Sequence, residues 1–165
     1  MSYLYIGLGA NLTPIGYKSP REGCEAALAT LSAEGIFPEK ISNWYETAPV
    51  PVSDQPWYLN AVALATTSGD ATMTLAALHR IEAQFGRVRG VPNCARVLDM
   101  DLLDFAGNCN QDSKLTLPHP RMHQRAFVLF PLRELCPGWS HPVSGISIDD
   151  LIARLPSTQK IRIAG

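Results

Sequence analysis

Apolar and polar residues follow two different periods along the chain. Apolar runs and strict alternation predict strands over residues 3–8, 37–47, 57–67, 96–104 and 115–117. Helical spacing predicts helices over 20–33, 71–85 and 126–135, with a last short helix over 148–155. The strands at 37–47 and 57–67 are expected to pair antiparallel, and a long proline-rich loop joins them. Long loops inside compact domains are often functional.

Two carboxylates interrupt the apolar strand predicted over 96–104. Because side chains alternate in a strand, Asp99 and Asp101 point to the same side, about 7 Å apart along the chain. Leu103 and Phe105 are expected on that same face. Paired carboxylates in apolar surroundings are costly unless a cation or basic partner compensates them, and Mg²⁺ takes one or two protein carboxylates plus substrate phosphates. The pattern favours a metal-phosphate site, and the alternative is the solvated face of a half-exposed sheet.

Basic residues precede this carboxylate pair. Arg87 and Arg89 lie in a glycine-rich segment, 86–95, that is expected to be a mobile loop, and Arg96 begins the predicted strand. The planar guanidinium group suits polyphosphate oxygens. These arginines are therefore candidate hydrogen-bond donors to phosphate oxygens. The alternative is that they lie in an ordinary solvated loop.

A second basic group precedes the helix predicted over 126–135. His119 and Arg125 lie between two prolines and this helix, together with Arg121 and His123. Imidazole and guanidinium groups at a helix N-terminus can form an anion site. The alternative for His119 is a hydrogen-bonded turn residue.

Glycines near the start of the chain resemble a dinucleotide-binding fingerprint only in part. Gly7 and Gly9 have the required spacing, but Leu12 occupies the third glycine position, so this interpretation is rejected. A tight turn from strand to loop is the expected reason for both glycines.

Size and charge limit the class of protein. A chain of 165 residues fits one domain, 1–165, and a formal net charge of -1 gives no basic excess for nucleic-acid binding. No apolar run approaches the roughly 18 residues of a membrane span, and no signal peptide is recognisable. The four cysteines are scattered without a C-x-x-C pair. We therefore expect a cytoplasmic protein whose partners are neither membranes nor nucleic acids.

Six segments of the chain form a recognisable series. They are YIGLGANL at 5–12, YETAPV at 45–50, DQPWYLNA at 54–61, RIEAQFGRVR at 80–89, RVLDMDLL at 96–103 and LTLPHPRM at 115–122. In their order and near spacing, these segments together resemble the 6-hydroxymethyl-7,8-dihydropterin pyrophosphokinase family of folate biosynthesis.

The resemblance implies a fold and a reaction. The fold is α+β and ferredoxin-like, an antiparallel sheet with helices packed on one side. ATP and two Mg²⁺ ions bind, the hydroxymethyl oxygen of the pterin attacks the β-phosphorus, and AMP leaves. The substrates ATP and hydroxymethyl dihydropterin are the implied partners.

The resemblance also implies roles for individual residues. Asp99 and Asp101 match the magnesium ligands, and Arg87 and Arg89 match arginines of a loop that closes over the phosphates. The remaining matches are Arg96, Thr116, His119 and Arg125 for ATP, and Thr47, Tyr58, Asn60 and Phe127 for the pterin. The resemblance implies that Arg87, Arg89 and Arg96 are catalytic residues, together with the two aspartates.

At two positions the chain departs from the family, and these departures motivate an alternative function. Residues 93–95 replace a run that contains Trp in the family, and Pro120 follows His119 where the family often has Tyr. The alternative is a diverged member that binds a pterin or nucleotide with little or no catalysis. A metal-dependent nucleotidyltransferase shares the carboxylate pair, but no glycine-serine nucleotide motif supports it.

Overall fold

The computed structural model describes residues 1–49, 51–86 and 96–165. Within these ranges the chain forms eight strands, four α-helices and two short 3₁₀ turns. The strands are β1 Ser2–Ala10, β2 Ile36–Ile41, β3 Tyr45–Thr47, β4 Tyr58–Thr67, β5 Asp99–Phe105, β6 Asn110–Asp112, β7 Leu115–Leu117 and β8 Ile161–Ile163. The helices are α1 Pro20–Thr30, α2 Ala71–Gln84, α3 Ala126–Leu135 and α4 Ile148–Ala153. No helix in the described ranges is long and apolar enough to span a membrane.

The main sheet is antiparallel, and β1 lies in its interior. Its strands run in the order β5-β1-β4-β3-β8. β2 also pairs with β4, along the same edge of β4 as β3. β1 pairs with β4 from Ser2↔Thr67 to Ala10↔Leu59, and with β5 from Leu4↔Phe105 to Gly9↔Asp99. The predicted α+β class with an antiparallel sheet is confirmed.

Helices cover both faces of this sheet. One hydrophobic cluster includes Leu4, Ile6 and Leu8 of β1, and the residues of α1 and α2 pack against that face. The second cluster includes Val62 of β4 and Leu129 of α3, with residues of α4. The expectation of helices on one side is therefore wrong, because the alternating side chains of β4 and β5 supply apolar residues to both faces.

The strand predicted over 37–47 is two strands. Its first and last parts are β2 and β3, which pair with the two ends of β4. Between them Ser42 Oγ accepts the N–H of Val62 at 3.0 Å. Because a side-chain oxygen takes the place of a backbone carbonyl there, the regular ladder stops between β2 and β3.

A β-bulge changes the side-chain phase of β5. Tyr5 pairs with Asp104, whereas the next residue, Ile6, pairs with Leu102, so Leu103 is the extra residue. Phe105 consequently packs in the cluster of α1 and α2. Its predicted place on the face of the carboxylate pair is wrong for this reason.

Capping residues delimit the helices as predicted. Ser19 Oγ accepts the N–H of Glu22 at the start of α1, and Gly35 ends the following 3₁₀ turn with a left-handed φ of 79°. α3 has the predicted bounds. Strands β6 and β8 were not predicted, because each has only three residues and most of these are exposed.

Candidate active site

Two glycines of β1 leave a trough across one face of the sheet. Gly9 lies between Asn60 of β4 and Asp99 of β5, and Gly7 lies between Val62 and Asp101. Neither glycine carries a side chain, so the space above the central strand stays open. The glycines therefore belong to the strand interior, and their interpretation as a strand-to-loop turn is wrong.

Space above Gly9 is already limited by its neighbour. A Cβ atom on Gly9 would lie 2.7 Å from Asn60 Oδ1, whereas one on Gly7 would lie 3.5 Å from the Leu103 side chain. Gly9 thus permits a close approach of the Asn60 amide to the sheet. The small cavity above the trough is lined by Gly7, Leu8, Gly9, Asn60, Ala61, Asp99, Asp101, Phe127 and Val128.

Asp99 and Asp101 lie on the same face at one side of this trough, as predicted. Both are half-buried, and Met100 between them is buried on the opposite face. Arg96 Nη1 lies 3.7 Å from Asp99 Oδ1, an ion pair longer than a hydrogen bond. The strand thus presents two carboxylates to one cavity, and Arg96 lies close to the first of them.

Glu82 of α2 supports the carboxylate pair from behind, a role that sequence reasoning missed. Its carboxylate accepts the N–H of Met100 at 2.9 Å, and the residue is only 1% exposed. β5 is an edge strand, so this N–H points away from β1. The available signal was an acidic residue on the apolar face of a predicted helix.

The described residues contain no group of three or more His, Cys, Asp or Glu side chains arranged for a metal ion. The Asp99 and Asp101 pair nevertheless fits Mg²⁺, which commonly takes one or two carboxylates and completes its shell with water and substrate phosphates. Gly7 and Gly9 line the cavity beside these carboxylates and add no side chain that would compete with such additional ligands. A divalent cation here would complete its coordination with water and with oxygen atoms of a bound ligand.

Basic side chains gather beside Asp101, at the end of the trough nearest α3. The backbone N–H of His119 donates to Leu103 O at 2.8 Å, which fixes this residue to β5. Burial lowers the pKa of His119, Arg125 and Arg121 lower it further, and the Asp101 carboxylate opposes them. At neutral pH His119 is therefore an uncharged hydrogen-bonding group.

Arg125 belongs to the same electrostatic group. Burial lowers the pKa of its guanidinium, Asp101 raises it, and Arg121 and Arg96 lower it. Arg96, His119 and Arg125 are thus brought together around the carboxylate pair. Arg121, which the sequence placed in the same basic group without a specific role toward ATP, lies with them.

The other residues predicted to bind ATP have different outcomes. Thr116 lies in β7, where its hydroxyl donates to Asp112 O at 3.1 Å, and it remains half-exposed. Arg87 and Arg89, with the rest of the predicted loop over 87–95, lie outside the described residues. Their roles stay predictions.

On the other side of the trough, the residues predicted to bind the pterin form a connected set. Asn60 Nδ2 donates to Thr47 Oγ1 at 2.8 Å, and both residues are buried. This bond leaves Asn60 Oδ1 above Gly9. Tyr58 lies two residues before Asn60 on the same face of β4, and Phe127 of α3 lines the cavity from above.

Asn11 connects the two sides of the site and was also missed. Its Nδ2 donates to Gln55 Oε1 and to Pro56 O, both at 3.1 Å, and its Oδ1 accepts the N–H of Arg96 at 2.8 Å. The residue is 3% exposed. One buried amide therefore holds the proline-rich loop against the beginning of the carboxylate strand.

Comparisons with known proteins agree with this arrangement. The family model described as 7,8-dihydro-6-hydroxymethylpterin-pyrophosphokinase (HPPK) matches residues 5–137. The 2-amino-4-hydroxy-6-hydroxymethyldihydropteridine pyrophosphokinase of Haemophilus influenzae is 36% identical over 160 residues, which cover 96% of each chain. The protein of the same name from Synechocystis is 35% identical over 154 residues, which cover 93% of this chain and 76% of that protein.

A solved structure gives the same result for the fold. A crystal structure of Plasmodium falciparum HPPK-DHPS superposes with a TM-score of 0.70 over 93% of this chain and 44% of the other, at 14% identity. At this identity the likeness concerns the fold alone. The profile match and the two bacterial relatives carry the assignment, and the chain belongs to the 7,8-dihydro-6-hydroxymethylpterin pyrophosphokinase family.

Proposed function

We propose that this pyrophosphokinase of folate biosynthesis transfers pyrophosphate from ATP to the hydroxymethyl oxygen of 6-hydroxymethyl-7,8-dihydropterin. In this reaction the hydroxyl oxygen forms a bond to the β-phosphorus. The bond from that phosphorus to the oxygen bridging to the α-phosphate breaks, and AMP leaves. The observation that carries the proposal is the glycine-floored trough, with paired carboxylates on one side and a buried amide on the other.

In this proposal the carboxylate side of the trough receives the triphosphate. Asp99 and Asp101 would hold Mg²⁺, for which two ions are expected; when bound, the metal neutralises phosphate charge and acidifies the attacking hydroxyl. Arg96 and Arg125 bind phosphate oxygens and stabilise charge that develops toward the leaving AMP. His119 is neutral at pH 7, so it donates or accepts a hydrogen bond without adding positive charge.

The amide side of the trough receives the pterin. Asn60 Oδ1, held over Gly9, accepts hydrogen bonds from the polar edge of the heterocycle. Thr47 fixes the orientation of this amide, because its Oγ1 accepts a hydrogen bond from Asn60 Nδ2. Tyr58 and Phe127 supply aromatic rings against the flat ring system. Holding both substrates in one trough supplies the proximity that phosphoryl-type transfer mainly requires.

Three further features belong to the proposal. The element order β1-α1-β2-β4-α2-β5, with strands ordered β5-β1-β4-β2, supports a ferredoxin-like fold. The main six-stranded sheet contains both β1 and β8, the first and last strands of the described chain, and this supports one domain over 1–165. The free thiols of Cys24, Cys109 and Cys136 support a reducing, cytoplasmic location.

The experiment that tests this proposal is product analysis. The purified protein is incubated with ATP, Mg²⁺ and the hydroxymethyl dihydropterin, and nucleotides are separated by chromatography. AMP and the pterin diphosphate are expected in equal amounts, and none should form without the pterin. ADP as the product, or ligand binding by calorimetry without turnover, would contradict the proposal.

A further inference from the structure

Helix α3 begins without a cap from its own sequence. Arg125 occupies the N-cap position, and its side chain makes no capping hydrogen bond. The first backbone N–H of the helix, that of Ala126, donates instead to Gln159 Oε1 at 2.8 Å. The cap therefore comes from a residue 33 positions further along the chain.

The Gln159 side chain holds this backbone at two points. Its Nε2 donates to Gln124 O at 2.8 Å, while its Oε1 accepts the N–H of Ala126. The two bonds lie on either side of Arg125. Phe127, which lines the cavity, directly follows the capped residue. One amide thus fixes the backbone direction from which both side chains extend.

The residues after Gln159 are bonded to the opposite side of the site. Lys160 O accepts the N–H of Ala48 at 3.2 Å, and Ile161 of β8 pairs with Thr47 of β3. Three consecutive residues therefore join the start of α3 to the strand that carries Thr47. This short connection sets the distance between the Phe127 side and the Thr47 side of the proposed pterin pocket.

We propose that Gln159 is a positioning residue for the pterin, acting through the N–H of Ala126 to orient Phe127. This inference rests on the proposed function, since it assumes that the pterin lies between Phe127 and Asn60. Gln159 does not line the cavity to which Phe127 and the carboxylate pair belong. Its effect should consequently appear in pterin affinity and leave the chemical step almost unchanged.

The test measures binding and turnover for Gln159→Ala. Calorimetry with the magnesium salt of a non-hydrolysable ATP analogue and the hydroxymethyl dihydropterin gives the pterin Kd. We expect this Kd to rise about fivefold to tenfold, the equivalent of one lost helix cap. Affinity for the ATP analogue should fall less than affinity for the pterin, because the long Arg125 side chain can adjust to a small backbone shift whereas the Phe127 ring follows the backbone direction. The kcat should change by less than about threefold.

Two variants control for general damage. Gln159→Glu keeps an oxygen for the Ala126 N–H but loses the Nε2 donor to Gln124 O, so it is expected to raise the pterin Kd less than Gln159→Ala does. Thr158→Ala changes the exposed neighbouring residue and should leave all constants unchanged. Melting temperatures of all three variants show whether the fold is retained.

The outcomes separate this inference from the proposed function. An unchanged pterin Kd in Gln159→Ala, or an equal loss in Gln159→Glu, overturns the role of Gln159 while wild-type AMP production keeps the function. If Gln159→Ala has a lower kcat and a lower melting temperature but an unchanged pterin Kd, Gln159 is a purely structural cap, and its role in positioning the pterin is also overturned. Pterin binding without AMP in the wild type contradicts the function, and the same Kd comparison still decides the role of Gln159. A wild type that binds no pterin overturns both.

Discussion

The carboxylate of Glu82 accepts the backbone N–H of Met100 at 2.9 Å, and Met100 is the residue between Asp99 and Asp101. Glu82 belongs to a helix on one face of the sheet, while the aspartates point to the other. The bond restrains the backbone of β5, which is the edge strand of the main sheet in the part of the chain that the structure describes. The carboxylate pair is therefore held in place by a residue that does not enter the site.

Removing this support should weaken both the fold and metal binding. In Glu82→Ala the buried N–H of Met100 loses its acceptor, which is expected to cost about 1–3 kcal/mol of unfolding free energy. The Mg²⁺ concentration for half-maximal activity should rise severalfold. Urea denaturation and magnesium titration of the activity measure the two effects.

Glu82→Gln retains an oxygen acceptor and is expected to stay within about 1 kcal/mol of the wild type. Glu25→Ala, which removes an exposed ion pair with Arg21, should change stability by less than about 0.5 kcal/mol. Equal stability and magnesium dependence of Glu82→Ala and the wild type would contradict the supporting role.

Asp99→Asn and Asp101→Asn are expected to lower kcat/KM on the order of 10³-fold or more, because each removes a negative ligand from the proposed magnesium site. Steady-state kinetics at several Mg²⁺ concentrations measure the loss. If the two side chains were only a solvated sheet face, activity would remain within about twofold.

Asp104 on the same strand offers a contrast to that pair. Its Oδ2 accepts the Trp139 Nε1 proton at 2.8 Å and its Oδ1 accepts the Gly107 N–H at 2.9 Å, in a buried position outside the trough. Asp104→Asn should lower the melting temperature without changing the magnesium dependence. A change in magnesium dependence would place the metal elsewhere on the strand.

Gly9→Ala and Gly7→Ala form a matched pair of substitutions in one strand. The new methyl group at position 9 would lie 2.7 Å from Asn60 Oδ1, so the amide must move and its bond to Thr47 is disturbed. The KM for the pterin should rise about tenfold in Gly9→Ala. At position 7 the contact with Leu103 is an ordinary 3.5 Å, and a smaller effect is expected. Equal KM values for both variants would contradict this reason for Gly9.

Asn11→Ala should uncouple the proline-rich loop from the carboxylate strand. The buried N–H of Arg96 and the oxygens of Gln55 and Pro56 would lose a partner, which raises the KM of both substrates severalfold. Asn11→Asp keeps only the acceptor for Arg96. It should therefore raise the KM for ATP less than Asn11→Ala does, and steady-state kinetics compare the two.

His141 should make the protein sensitive to acid. Burial lowers its pKa, the neighbouring His123 lowers it further, and Asp104 partly compensates. Its Nδ1 accepts the N–H groups of Val143 and Ser144, at 3.2 and 3.3 Å, which requires the neutral ring. The unfolded state therefore binds the proton more readily, and stability is lost as the pH falls below about 6.5 toward the lower folded-state pKa.

His141→Asn removes this titration and retains a side-chain oxygen for the same backbone N–H groups. The unfolding free energy of this variant should decline less than that of the wild type between about pH 7 and about pH 5. Urea denaturation at several pH values gives the comparison. Parallel declines in the two proteins would assign the acid sensitivity to other groups.

Local signals were sufficient for most of the helices and long strands. Ser19, with Pro20 and Glu22 after it, predicted the beginning of α1, and Gly35 marked the end of the 3₁₀ turn that follows α1. The face of Asp99 and Asp101 followed from simple alternation. These features depend on residues that are close in sequence, so the sequence could specify them.

Features that depend on distant residues could not be predicted in this way. The bulge at Leu103 depends on register with β1, and the break between β2 and β3 depends on the bond from Ser42 to Val62. The function of Gly9 becomes apparent only when Asn60 and Asp99 lie on either side of it. Glu82 had the spacing of an apolar residue, and only its contact with β5 shows its role.

The order in which the chain is synthesised has a consequence for β1. This strand leaves the ribosome before its partners, since β4 begins at Tyr58 and β5 at Asp99. At ordinary translation speeds the delay before β5 follows is roughly 5–20 s. Leu4, Ile6 and Leu8 have no sheet neighbour until β4 is made, and one edge of β1 stays unpaired until β5 follows, so we expect apolar surface to be exposed on the nascent chain during this interval.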